Sequence, residues 1–97
     1  MFTFEWDDGN TPKVQARIPI AEVEQFFNQT LLLKKELRSK DEDRWIAAGL
    51  STLGQPMWVC FTIRGTFENQ TIRVISCRFM HNKEANQYEI FQKDQRK

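Results

Sequence analysis

The chain has 97 residues, a length that suits one domain with one modest core. Forty per cent of the residues are apolar and eight are Phe, which excludes a disordered tail. The net charge of +1 excludes nucleic-acid binding by bulk charge, so any such role needs a local basic patch.

In chain order, Phe2, Phe4 and Trp6 alternate with Thr3 and Glu5, as in a half-buried strand. Asp7 to Asn10 is turn chemistry. Thr11 then reads as a helix N-cap with Pro12 at the first helical position, opening a short helix over Pro12–Arg17. Pro19 opens a second helix, whose Ile20, Val23, Phe26 and Phe27 form an apolar stripe and which ends near Asn28. Leu31–Leu37 is a strand, followed by the polar connection Arg38–Asp43. Arg44–Leu50 and Met57–Arg64 are consecutive β-prone strands. Gly65–Gln70 is a turn and Thr71–Met80 the last strand. Asn82–Gln92 forms a C-terminal helix with Ala85, Tyr88 and Phe91 at spacing three, and Lys93–Lys97 is a charged end. The expected fold is α+β: two N-terminal helices, an antiparallel sheet of four to five strands, and a C-terminal helix on one sheet.

No basic segment followed by an apolar one opens the chain, and no apolar run has membrane-spanning length. The expected compartment is the cytoplasm, without membrane association. The sequons at Asn28 and Asn69 are then chance matches. Cys60 and Cys77, mid-strand and outside any Cys-x-x-Cys, read as free, buried thiols. No cofactor is expected.

Residues 72–88 carry the densest chemistry. Ser76, Arg78, His81, Lys83 and Glu84 cluster around one strand–helix junction, with Arg73 on the same strand. Arginine forks onto phosphate oxygens and stays charged. This stretch resembles the C-terminal signature of the BrnT toxin family, R-x-I-S-A-R-x-M-H-x-K-E-x-x-x-Y-E. Phe4 to Asn10 is similar to that family's F-E-W-D-x-x-N/K, Glu42 to Gly49 to its E-x-R-x-I-A-x-G, and Val59 to Arg64 to its V-V-F-T-x-R. The resemblance implies a RelE-like fold and a ribonuclease toxin of a type II toxin–antitoxin pair. It implies a BrnA-like ribbon-helix-helix antitoxin as partner, and operator DNA bound only through the antitoxin complex. Two family histidines are replaced, by Arg17 and Arg38.

Metal-free RNA cleavage must deprotonate a 2′-OH, neutralise a phosphorane and protonate the leaving oxygen. Arg64, Arg73 and Arg78 suit the second task as fixed cations. Arg does not shuttle protons, so His81, Glu84, Lys13 or Lys83 would supply acid–base chemistry. Ser76 completes the catalytic candidates, while Lys13, Arg17, Arg38 and Lys83 are candidates for holding RNA. Each has a plainer reading: strand arginines pair with carboxylates, His81 caps a helix, Ser76 bonds within the sheet, and Lys83 and Glu84 are ordinary first-turn residues. The acidic run Asp41 to Asp43 reads as solvated rather than metal-binding. Trp6 and Trp45 read as core, and Trp58 as a possible stacking surface for a base. The rival reading of the whole chain is a degenerate toxin fold that binds antitoxin or RNA without cutting.

Overall fold

Two long runs of β-branched and aromatic residues near the C-terminus pair with each other and form the centre of the sheet. The computed structural model describes residues 3–36, 43–66 and 68–95, with side chains to residue 90 in the last segment. The elements are β1 (Thr3–Phe4), α1 (Thr11–Gln15), α2 (Ile20–Phe26), β2 (Leu32–Glu36), β3 (Arg44–Leu50), β4 (Pro56–Gly65), β5 (Gln70–Phe79) and α3 (Asn82–Gln95). Phe2, Leu37, Arg38, Asp41, Glu42 and the Phe91 side chain lie outside the described residues.

The architecture is the expected α+β fold, consistent with a RelE-like one, around a five-stranded sheet of order β1-β5-β4-β3-β2. One direction differs from expectation. β2 to β5 are antiparallel, but β1 runs parallel to β5, with Thr3 opposite Thr71 and Phe4 opposite Ile72. The sheet is therefore mixed, joining the chain's N-terminal strand to its last. The β4–β5 turn depends on Gly65, whose φ is +98°. A Cβ there would collide with the Asn69 carbonyl oxygen.

One sheet face is dry. Ala47 (β3), Met57, Val59 and Phe61 (β4), and Ile72, Val74 and Cys77 (β5) cluster with Val14, Ile18, Val23, Phe26 and Phe27 from the helical region. Phe27 links the layers: its ring meets Phe4 at 5.5 Å, Phe26 at 5.4 Å and Phe61 at 5.2 Å. Each such side chain contributes about 1.5–3 kcal/mol of burial, and a ring pair about 0.5–1.5 kcal/mol more.

The α1 cap differs from the sequence reading. Asn10, not Thr11, is the N-cap residue, and it caps nothing with its side chain. Instead its buried amide donates to the Glu5 and Val74 carbonyls and accepts from the Asp7 N–H. This ties the β1–α1 turn to β5. Gln29 closes the opposite side similarly, donating to the Leu50 carbonyl and accepting from the Leu50 N–H. A side-chain amide thereby continues the pairing along β3 beyond the start of β2.

Candidate functional site

Strict alternation along β5 places Arg73 on the face opposite Ser76 and Arg78. The strand does not alternate strictly. Cys60 pairs with Ser76, but the next β4 residue, Phe61, pairs with Val74, leaving Ile75 as an extra residue. This β-bulge re-phases the strand. On β4, Trp58, Cys60, Thr62 and Arg64 share one face by simple alternation, and they stand opposite Arg78, Ser76, Arg73 and Thr71. All four strand residues proposed from sequence, Arg64, Arg73, Ser76 and Arg78, thus share the face away from the core.

They divide into two groups there. A cavity of about 560 Å³ opens on this face, lined by Lys13, Arg17, Lys34, Glu36, Ile46, Trp58, Cys60, Ser76, Cys77, Arg78 and Glu84. α1 lies against β5, and its helical hydrogen bonding continues to the Ile18 N–H. Val14 and Ile18 enter the core while Lys13 and Arg17, one turn apart, line the cavity. Lys13, Arg17 and Lys34 form no ion pair with any described residue.

Arg78 is different. Its Nη1 and Nη2 donate to Oε1 and Oε2 of Glu84 at 2.8 and 2.9 Å. The same carboxylate accepts the Trp58 indole N–H at 3.2 Å and the His81 backbone N–H at 3.1 Å. The last contact is half of a capping box, with His81 at the start of α3. The Arg78 hydrogen bond, helped by the His81 N–H, lowers the Glu84 carboxyl to about 2. Glu84 is therefore an anion near neutral pH and a weak base, and it raises the affinity of Arg78 for its proton.

Arg73 and Arg64 lie outside the cavity lining. Arg73 donates to Glu5 at 2.8 Å and to both Asp7 oxygens at 2.7 and 3.1 Å. Its hydrogen bond holds the Asp7 carboxyl below the ordinary carboxylate range. Arg64 approaches the same Glu5 at 3.6 Å. This cluster secures β1 and its turn beside β5. The His81 and Lys83 side chains are exposed and are not part of the lining. Arg38, the remaining RNA-binding candidate, lies outside the described residues.

Cys77 is buried as expected, but Cys60 is half-buried; both border the cavity. Burial raises both thiols above their ordinary pKa. Lys34, Glu36 and Ile46 were not among the sequence candidates. The signal that places Lys34 and Ile46 is register: Lys34 pairs with Ile46, which pairs with Cys60, which pairs with Ser76, so one cross-strand row forms the cavity floor; Glu36 follows Lys34 on the same face of β2. Among the described residues no three His, Cys, Asp or Glu side chains converge as metal ligands would. No helix there is long and apolar enough to cross a membrane.

Compared with known proteins, residues 6–84 match the family described as ribonuclease toxin, BrnT, of type II toxin-antitoxin system. No curated protein matches the chain significantly. The matched span runs from Trp6 to Glu84 and includes both walls of the cavity.

Proposed function

The chain belongs to the BrnT family of type II ribonuclease toxins, and from that premise we propose that it cleaves RNA in the cavity on the open sheet face. The observation that carries the reading is the pairing of two kinds of residue there. Ser76, Arg78 and Glu84 come from the best-matched motif, and beside them stand three cations, Lys13, Arg17 and Lys34, without carboxylate partners among the described residues.

In this reading Lys13, Arg17 and Lys34 hold phosphates of a single strand, and Lys83 adds charge at the entrance. Arg78 meets the charge that develops on the scissile phosphate. Glu84 is a positioning residue: it orients Arg78 and, being ionised, it is unsuited to deliver a proton. Ser76 neighbours Arg78 on the same face and would contact the same phosphate. Arg64 and Arg73 act through Glu5 and Asp7 by holding β1 in place. His81 is the proton-transfer candidate, reaching the phosphate from the strand–helix junction when RNA is bound. In this reading the chemistry needs no metal. The expected partner is a BrnA-like antitoxin, in keeping with the family's two-component systems.

A second reading, a non-cleaving toxin fold that binds RNA or antitoxin by charge, is favoured by two observations. Arg17 stands where the resemblance expects histidine, and the His81 side chain lies outside the cavity lining. One experiment separates the two: antitoxin-free protein with total RNA in EDTA, beside Arg78→Ala. The enzyme reading expects cleavage that Arg78→Ala slows. Retarded but intact RNA supports the second reading. Cleavage that needs added Mg²⁺ overturns the metal-free mechanism.

A further inference from the structure

The three tryptophans are placed differently. Trp6 and Trp45 pack against the core cluster, and the Trp6 indole N–H donates to Glu24 at 2.8 Å. Trp58 stands on the other sheet face, lines the cavity and is not among the residues packed on the core. It meets no other aromatic ring among the described residues. Its N–H bond to Glu84 restrains the ring along one edge. Glu84 is itself held by two bonds from Arg78 and one from the His81 backbone, so the indole is braced before any ligand arrives.

A large aromatic ring in a cationic cavity, held at its edge and without another ring against it, offers a π surface beside phosphate-binding charge. Single-stranded nucleic acids are gripped by this combination: a charged groove follows the backbone and aromatic side chains stack with bases. The cavity, about 560 Å³, falls within the range of roughly 300–1,000 Å³ typical of small-molecule sites, large enough for a nucleotide.

We propose that Trp58 is a nucleobase platform: one base of a single-stranded RNA stacks on its indole while neighbouring phosphates lie against Lys13 and Arg17. The proposal rests on reading the cavity as an RNA site and adds how the base is held. Stacking tolerates any base, because every base has a π face. The subsite therefore positions the strand and favours unpaired RNA, whose bases are free to leave their neighbours. A duplex keeps its bases stacked on each other and gives the platform nothing to hold.

The test is fluorescence anisotropy with a short labelled oligoadenylate carrying 2′-O-methyl groups, which block cleavage. The comparison is an abasic oligomer of equal length and charge. Wild type should bind the base-bearing oligomer roughly 5- to 150-fold more tightly, the range for one stacked base. Trp58→Phe, which keeps a π face and loses the N–H, should retain most of that preference. Trp58→Leu, which keeps apolar bulk without a π face, should bring the ratio close to one. Lys13→Ala and Arg17→Ala should weaken both oligomers alike. Equal binding of the two oligomers by wild type overturns the platform and leaves the RNA reading standing. So does a preference that survives Trp58→Leu, or one that Trp58→Phe and Trp58→Leu lose equally, since the indole then acts only through Glu84. Failure of wild type to bind either oligomer overturns both readings.

Discussion

Arg78 on β5 and Glu84 in the first turn of α3 meet through two parallel hydrogen bonds of 2.8 and 2.9 Å. The strand and the helix are thereby joined at the point where the chain leaves the sheet. A carboxylate occupies the fork of the arginine in the geometry that a phosphate would also adopt. Glu84 thus gives Arg78 its orientation and also competes with an incoming phosphate for its donors.

This pair sets a pH dependence. The folded pKa of Glu84 is depressed, to about 2, so its contribution to stability is complete above the ordinary carboxylate value. That contribution falls as the pH drops through the interval between the ordinary value and about 2. Urea midpoints measured from pH 7 to pH 2 should decline more steeply for wild type than for Glu84→Gln. Asp7, also depressed, contributes to both curves, so the difference between them isolates Glu84. Parallel curves would show that the ion pair does not operate in solution.

Lys13 and Arg17 should be visible in the salt dependence of RNA binding. Each phosphate contact on a single strand adds about 0.7 to the slope of log K against log salt. The double variant Lys13→Ala/Arg17→Ala should lower that slope by about 1.4. Titrations of a fixed oligomer at several salt concentrations give the value. An unchanged slope removes both residues from the RNA site.

RNA cleavage should depend on Arg78 more than on Arg17. Loss of a cation that stabilises charge in the transition state costs about 10²–10³ in rate. Single-turnover rates at saturating protein separate this from weaker binding, which is the expected effect of Arg17→Ala. Cleavage by Arg78→Ala at the wild-type rate would remove Arg78 from the reaction.

Asn10 should matter to the fold rather than to chemistry. Asn10→Ala leaves the Glu5 and Val74 carbonyls and the Asp7 N–H without this partner. Leaving a buried polar group unsatisfied costs about 1–3 kcal/mol, so a loss of roughly 3 kcal/mol in chemical denaturation is expected. Asn10→Asp should be worse, because a carboxylate would face two carbonyl oxygens.

Most element boundaries were legible because the period of apolar residues changes where the structure changes. The stripe Ile20, Val23, Phe26 marks α2, and β3 follows Arg44–Leu50 residue for residue. Strand direction was less legible: alternation of Phe4 and Trp6 marks a strand but carries no information about whether its neighbour runs parallel. The bulge at Ile75 was also hidden, since it exists only relative to β4. Without it Arg73 falls on the wrong face, and Lys34 and Ile46 lose their row to Ser76. Cys60 and Cys77 read alike in sequence, yet their odd spacing across the strands puts them on opposite faces. Asn10 reads as turn chemistry because its two carbonyl partners, Glu5 just after β1 and Val74 on β5, come together only in the folded chain. The junction at Arg78 to Glu84 was the most legible part of the site, because its residues are close along the chain.

The cavity joins residues near the two ends of the chain: Lys13 and Arg17 on one wall, Arg78 and Glu84 on the other. Among the described residues β1 pairs only with β5. A nascent chain that has not yet extended through Glu84 holds neither wall in place, however well its helices have formed. Assembly of the site thereby waits until the chain has been made through Glu84. A ribosome stalled before Glu84 displays a fragment without the cavity, so the surface proposed to hold RNA forms only after its own translation is finished.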